Sequence, residues 1–181
     1  MSIRKPKILS TRAIYKSSWI SLFVDRVLFP GGRLIEAHHR LDFNRQGVAA
    51  LVSDAKGRLL LIQSFRYVTD TLEWEIPAGA REKREPIFGC ARREVLEETG
   101  YQSLGHQLLY SYYPSVGILN LIYHIVSCRA GLKTGRPDAN EVKTMRWFSR
   151  KQIQTLIRKG KIRDGFALTA MLLYWNGGRR G

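Results

Sequence analysis

Apolar and polar residues along this chain follow two periods, one typical of strands and one of helices. The segments rich in β-branched and aromatic residues predict strands at 19–29, 34–43, 47–53, 58–67, 72–76, 107–113, 121–128 and 144–148. Pro30-Gly31-Gly32 is a plausible hairpin turn between the first two. Strands and helices mix without strict alternation, which predicts an α/β fold with a mixed sheet flanked by helices.

Three segments carry helix signals. The first begins with Pro86, which suits the first helical position, and ends before Gly100, which suits the left-handed residue after a helix. The second covers about 150–158 and follows a capping-box pattern. The third follows Asp164. A polar loop is predicted at 131–141.

The first helix carries two carboxylates in an unusual place. At about 100° per residue, Ile87, Ala91 and Val95 form an apolar stripe. Glu94 and Glu98 fall on this stripe rather than opposite it. A carboxylate is costly to bury unless it is paired or binds a metal ion. Two readings stay open at this point, a divalent cation site and a structural network of salt bridges.

Residues 79–101 read GAREKREPIFGCARREVLEETGY. This segment resembles the Nudix box, Gly-x5-Glu-x7-Arg-Glu-U-x-Glu-Glu-x-Gly-U, at every defining position, where U is a bulky apolar residue. The segments 60–67, 75–79 and 113–117 are similar to those of the ADP-ribose pyrophosphatase group. The resemblance implies a Nudix-type α/β/α sandwich with a mixed sheet. We expect an N-terminal β-strand extension at 1–45 and the Nudix domain at 46–181.

The resemblance also implies a metal site and catalytic residues. Mg²⁺, with Mn²⁺ possible, is expected on four groups, namely the Ala78 carbonyl, Glu94, Glu97 and Glu98. Glu97 and Glu98 are the expected catalytic residues of the box. Glu141 is the candidate base or additional ligand, from a loop long enough to move. Gly79, Glu85, Arg93 and Gly100 are expected to be structural, with a salt bridge between Glu85 and Arg93.

Two residues outside the box are candidates for substrate binding. Arg66 ends a strand and would contact phosphate, because its planar fork donates two hydrogen bonds; the alternative is a surface arginine. Trp19 would stack on a nucleobase, and the alternative is packing in the core or between subunits. Glu75 would either order the site or form a cross-strand salt bridge.

The expected reaction splits a nucleoside diphosphate linked to X, of the ADP-ribose or nucleotide-sugar type, into a nucleoside monophosphate and phosphorylated X. Leu121 and Ala139 stand where the subgroup often has acidic residues, which weakens the assignment to ADP-ribose. One alternative is a pyrophosphohydrolase acting on RNA ends or dinucleoside polyphosphates. Another is a binding protein without catalysis, although such proteins usually lose box glutamates and this chain keeps them.

Composition adds limits to this interpretation. The chain has 181 residues, is 44% hydrophobic and carries a formal charge of +15, which suits either nucleic-acid binding or the attraction of small polyanions. Cys90 and Cys128 form no disulfide framework, which favours a cytoplasmic location. No apolar run approaches membrane-spanning length. The first 24 residues have five bases and no acid, typical of a transit peptide or of an ordered strand region. The resemblance implies a homodimer in which 19–29 could exchange between subunits.

Overall fold

The structure is a computed structural model that describes residues 4–177. Its strands are β1 Lys7–Lys16, β2 Ile20–Leu28, β3 Leu34–Phe43, β4 Gly47–Ser53, β5 Leu59–Arg66, β6 Thr71–Glu75, β7 Ala78–Ala80, β8 Tyr101–Tyr112, β9 Tyr123–Lys133 and β10 Thr144–Phe148. Its helices are α1 Ile87–Thr99, α2 Arg150–Arg158 and α3 Gly165–Trp175. The described residues form two compact units, the first from 4–46 with 113–122 and the second from 47–112 with 123–177.

The first unit is an antiparallel sheet in the order β1-β2-β3. The segment 113–122 joins it because the Leu41 N–H donates to the Ile118 carbonyl at 2.9 Å and the Phe43 N–H donates to Asn120 Oδ1 at 2.6 Å. The domain boundary expected after residue 45 stays a prediction, and it did not anticipate that 113–122 groups with the N-terminal strands.

Strand β1 lay outside the predicted elements. All ten of its residues are exposed, so it lacks the alternation of buried and exposed positions by which a strand is recognised. It makes β2 the central strand, paired along both edges within the chain. Exchange of 19–29 alone between subunits would therefore break two ladders of hydrogen bonds.

The second unit contains a seven-stranded mixed sheet. Its main path is β10-β5-β4-β9-β8, while β6 pairs with β5 and β7 pairs with β4. Strands β4 and β9 are parallel, and the other pairs are antiparallel. This arrangement confirms the predicted mixed sheet.

Helices cover both faces of this sheet. Val48, Ala50 and Val52 of β4 pack in one core cluster with residues of α1, among them Ala91 and Val95. The alternate residues of β4 are equally buried and point to the other face, because side chains alternate along a strand. Helix α3 contacts β4 and β8, and α2 contacts β10. The α/β/α architecture expected from the resemblance is confirmed.

Several boundaries differ from the predicted ones. Strand β8 begins at Tyr101 instead of 107, with three irregularities in its pairing that interrupt the apolar alternation. Strand β9 continues to Lys133, which shortens the predicted loop at its start. The short β7 was not predicted. No helix within residues 4–177 combines the length and apolarity needed to cross a bilayer.

Candidate active site

Helix α1 is bounded by residues that cannot continue it. Pro86 precedes it in an extended conformation, φ −64° and ψ 148°, as the N-cap rather than the first helical residue. Gly100 follows it at φ 73°, and its N–H donates to the Leu96 carbonyl at 2.8 Å. A Cβ on Gly100 would lie 2.2 Å from the Gly135 carbonyl oxygen. Both the left-handed backbone and this close approach therefore require glycine.

The helix buries two carboxylates, as its geometry predicted. Glu94 is 7% exposed and Glu98 is 5% exposed, beside the buried Ala91 and Val95. Glu98 Oε2 accepts a hydrogen bond from the Ala78 N–H at 3.0 Å. This bond ties the C-terminal half of the helix to β7, immediately before the box.

The closeness of Glu94 to β7 depends on Gly79. A Cβ on Gly79 would lie 1.9 Å from Glu94 Oε1, far inside van der Waals contact. Gly79 pairs with Val48 of β4, so the strand cannot shift away without losing its place in the sheet. Glycine at this position is thus what lets the carboxylate lie against the backbone.

Arg93 gathers the acidic groups of the box. Its Nε and Nη2 donate to the two oxygens of Glu85 at 3.0 and 3.1 Å. Its Nη1 donates to Glu94 Oε1 at 2.6 Å and to Glu97 Oε2 at 3.1 Å. Nη2 also donates to the Ala80 carbonyl at 3.1 Å. The structure therefore contains the Glu85–Arg93 ion pair expected from the resemblance, and the same guanidinium also holds two expected metal ligands.

Burial dominates the electrostatics of the two inner carboxylates. It raises the pKa of Glu98 to about 8, against the opposing hydrogen bond from Ala78 and with further repulsion from Glu94 and Glu141. Burial also raises the pKa of Glu94, although Arg93 opposes that shift. A cation beside such a buried carboxyl group would favour its ionised form and offset the cost of burial.

The donor chemistry of this site fits a hard divalent cation. Mg²⁺ and Mn²⁺ prefer oxygen ligands, and the box supplies carboxylates at Glu94, Glu97 and Glu98. Within residues 4–177, no three acidic, histidine or cysteine side chains already converge in a metal-binding arrangement. Arg93 accounts for part of this, because it occupies one oxygen each of Glu94 and Glu97. On metal binding, these oxygens of Glu94 and Glu97 would leave Arg93 and coordinate the ion instead.

Glu141 lies in the connection between β9 and β10, and its side chain is exposed. That connection is fastened to the end of α1, since the Asp138 N–H donates to the Glu97 carbonyl at 3.0 Å and the Gly135 N–H donates to the Gly100 carbonyl at 3.1 Å. The carboxylate of Glu141 is near enough to raise the pKa values of Glu94 and Glu98. The structure thus brings it toward the box, and its catalytic role stays a prediction.

Arg66 and Glu75 form one unit on neighbouring strands. Arg66 Nε donates to Glu75 Oε1 at 2.8 Å, and its Nη2 bonds Glu75 Oε2. This hydrogen bonding raises the pKa of Arg66. The cross-strand salt bridge considered for Glu75 is present, and it fixes the direction of the Arg66 fork.

A cavity of about 600 Å³ opens beside the box. It is lined by Arg66, Thr69, Thr71, Glu73, Glu75, Ile76, Ala78, Tyr123, Arg163, Asp164 and Phe166. One wall is aromatic, because the rings of Tyr123 and Phe166 stack with centroids 3.6 Å apart and planes 12° apart. Ala78 connects this cavity to the carboxylates of α1.

The model of the NUDIX domain matches residues 43–167 of this chain. The chain belongs to the Nudix family. A CMP-5'-(N-acetyl-N-hydroxy-3-aminopropyl)phosphonate hydrolase of Streptomyces rubellomurinus is 31% identical, over 93% of this chain and 82% of that protein. An ADP-ribose pyrophosphatase of Mycobacterium tuberculosis is 24% identical, over 91% and 80%.

A solved structure supports the fold. A crystal structure of an ADP compounds hydrolase superposes with a TM-score of 0.85, at 18% identity, over 97% of this chain and 95% of that one. The ADP-ribose pyrophosphatase relatives confirm the resemblance to that group. The chain is an enzyme of the Nudix pyrophosphatase class.

Trp19, the other predicted substrate contact, lies in the first unit. Its ring is 58% exposed, and the Arg45 guanidinium lies 4.5 Å from the ring centroid. A contact of this kind is favourable but also occurs on ordinary protein surfaces. Stacking of Trp19 on a nucleobase stays a prediction.

Sequence reasoning did not assign a role in the site to Arg163, Asp164, Tyr123 or Phe166, or a partner to Glu73. The alternation of Thr71, Glu73 and Glu75 along one strand was a usable signal, because such residues share one face. The partner of Glu73 lies 90 positions away in sequence, at Arg163. No local pattern could have identified that pair.

Proposed function

We propose that this Nudix enzyme hydrolyses the diphosphate of a nucleoside diphosphate linked to X, with X a sugar or sugar-like group. One P–O bond of the anhydride breaks and one P–O bond to water forms. The products are a nucleoside monophosphate and phosphorylated X. The Nudix family and the relatives support a pyrophosphatase activity, and from it we infer the type of substrate and the roles of the residues.

One observation carries this proposal most directly. Two buried carboxylates of α1, Glu94 and Glu98, lie against β7, and Ala78 of β7 also lines the 600 Å³ cavity. Arg66 lines the same cavity, with its fork held by Glu75. Carboxylates that could hold a cation, beside an arginine, suit a diphosphate, because the cation and the guanidinium would both supply positive charge to the phosphates.

Metal binding, phosphate orientation and proton transfer are assigned to different residues of the site. The Ala78 carbonyl, Glu94, Glu97 and Glu98 would hold Mg²⁺, or Mn²⁺ in its place. Such ions, when bound, neutralise charge on the diphosphate and lower the pKa of the attacking water. Arg66 orients the phosphates through the guanidinium donors that Glu75 does not occupy. Glu141, from the segment fastened to the end of α1, accepts the proton of the water at its carboxylate.

Support for the substrate type comes from the relatives. One is named for a CMP-linked phosphonate and another for ADP-ribose, and both names describe a nucleotide joined to a second group. Leu121 in place of an acidic residue leads us to expect that ADP-ribose is a weak or atypical substrate here. A hydrolysis screen for X therefore needs several nucleotide sugars beside ADP-ribose.

We also propose that the enzyme is a homodimer in the cytoplasm. Strand β1 is an edge strand with exposed apolar side chains at Ile8, Leu9, Ile14 and Tyr15, and an edge of this kind is prone to pair with another copy. The cysteines Cys90 and Cys128 are buried free thiols. Light scattering on the purified chain measures the dimer directly, and a monomer at working concentration would contradict it.

A hydrolysis screen with product identification tests the proposed activity. The panel contains ADP-ribose, several nucleotide sugars, a dinucleoside polyphosphate and capped RNA, each with Mg²⁺, with Mn²⁺ and with a chelator. The expected result is metal-dependent release of a nucleoside monophosphate from nucleotide sugars. Glu98→Gln serves as the inactive control, which separates this enzyme from a contaminant. Preferred cleavage of capped RNA or of the dinucleoside polyphosphate would replace the proposal with that alternative.

A further inference from the structure

Strand β6 presents a row of polar side chains to the cavity. Thr71, Glu73 and Glu75 alternate along the strand and all line the cavity. Alternate residues of a strand are about 7 Å apart, so the row extends about 13 Å from Glu75 to Thr71. Ala78 lies beyond the Glu75 end of this row in the chain. Glu73 and Thr71 therefore lie progressively further along β6 from the end of the strand that leads into the box.

The Glu73 carboxylate can accept more hydrogen bonds than it does. Its Oε1 accepts a hydrogen bond from Arg163 Nη2. Its Oε2 is buried, and no donor among residues 4–177 meets full hydrogen-bond geometry to it, although the Thr71 hydroxyl and the Arg163 backbone lie close enough to lower the pKa of the carboxyl. A buried acceptor without a full hydrogen bond is unfavourable, so a ligand that donates a hydrogen bond there would reduce that cost. Arg163 can move to admit the ligand, because its side chain is 58% exposed.

The remaining groups at this end favour an uncharged ligand with several hydroxyls. The hydroxyls of Thr69 and Thr71 are hydrogen-bonded to each other at 2.7 Å. Each hydroxyl can both donate and accept a hydrogen bond. The charged residues that line the cavity are two arginines and three carboxylates, namely Arg66, Arg163, Glu73, Glu75 and Asp164. The lining therefore has no excess of positive charge with which to bind a second anion. On the side of the cavity nearer β4 and β7, the stacked Tyr123 and Phe166 supply an apolar wall against which the C–H face of a ring could pack.

We propose that this outer part of the cavity binds a sugar ring adjoining the diphosphate, with Glu73 as a specificity-determining residue that accepts a hydrogen bond from a ring hydroxyl. Arg163 is the positioning residue that holds the Glu73 carboxylate. This inference rests on the proposed function, since it assigns one part of the same substrate. The ring belongs either to X or to the nucleoside, and the experiment below separates the two.

The test compares specificity constants on three substrates. ADP-ribose carries both rings, the methyl ester of ADP lacks the ring of X, and 2',3'-dideoxy ADP-ribose lacks the hydroxyls of the nucleoside ring. For Glu73→Gln, kcat/KM on ADP-ribose should fall roughly 10- to 100-fold, the size expected for a hydrogen bond to a charged group, and mainly through KM. The fall should disappear on whichever analogue lacks the contacted ring.

Two further variants keep the test decisive. Arg163→Gln, at an exposed position, should lower the ratio of kcat/KM on ADP-ribose to kcat/KM on the analogue that lacks the contacted ring. This variant provides the test even if Glu73→Gln proves unstable. Glu36→Gln removes an exposed ion pair with Arg26 in the first unit and should leave the ratio unchanged. Equal effects of Glu73→Gln on all three substrates would overturn the sugar subsite, and so would no effect in a folded protein. If ADP-ribose is cleaved too slowly to measure, the same comparison is made on the preferred nucleotide sugar of the hydrolysis screen and its matching methyl-ester and dideoxy analogues. A wild-type enzyme that cleaves no substrate of that screen would instead overturn the proposed function, and this subsite with it.

Discussion

The Glu94 carboxylate lies against the backbone of Gly79 so closely that a Cβ there would be 1.9 Å from Oε1. This steric contact alone requires a glycine at the first position of the box. It also links the sheet to the acidic face of α1, because Gly79 pairs with Val48 in the central strand β4. Any side chain at residue 79 would have to displace an expected metal ligand.

Gly79→Ala should therefore weaken both the fold and the activity. Overpacking of this kind costs about 1–3 kcal/mol, and we expect the free energy of unfolding to fall by that amount. Activity should fall further than stability explains, because Glu94 is pushed from its place. The matched control is Gly165→Ala, since a Cβ on Gly165 meets no atom within 4 Å. Denaturant unfolding and initial rates on both variants would measure the difference, and equal behaviour of the two would contradict the contact.

Glu98→Gln should leave the fold intact and nearly abolish turnover. The amide keeps the shape of the side chain and can still accept the hydrogen bond from the Ala78 N–H. It removes the charge expected to hold the cation, so we predict a loss in kcat of at least ~10²-fold. Glu82→Gln, at an exposed residue of the same box loop, is the control and should stay near wild type. Wild-type turnover of Glu98→Gln at saturating Mg²⁺ would refute the metal assignment.

The raised pKa of Glu98 also predicts how stability depends on pH without metal. Its pKa is about 8 in the folded protein against an ordinary value of 4.5, so the folded state binds more protons between these pH values. Stability should therefore decrease as the pH rises from about 4.5 to about 8 in the presence of a chelator. Denaturant midpoints across this range would measure it. The decrease should be smaller in Glu98→Gln and in wild type with excess Mg²⁺, and an identical slope in all three would contradict the shift.

The parts of this molecule that the sequence predicted are those with local signals. Helix α1 was recognisable from Pro86, Gly100 and its apolar stripe, and the burial of Glu94 and Glu98 followed from helix geometry. Strand β1 was missed because uniform exposure leaves no period to read. The Arg163–Glu73 pair was missed because it joins residues 90 positions apart, and only the folded sheet brings them together.

The role of Glu141 is the boldest of these predictions. The N–H groups of Asp138 and Gly135 donate hydrogen bonds to carbonyls at the end of α1. These bonds hold the segment that carries Glu141 close to the box. If its carboxylate accepts the proton of the attacking water, Glu141→Gln should lower kcat by roughly 10²- to 10⁴-fold, the usual range for a general base, and should remove the acidic limb of the pH–rate profile. Its thermal stability should stay close to wild type, because the side chain is exposed. Steady-state kinetics across pH, beside the Glu82→Gln control, would decide the matter. An unchanged profile would exclude Glu141 as the base and make Glu97, whose carboxylate is held by Arg93, the next residue to test.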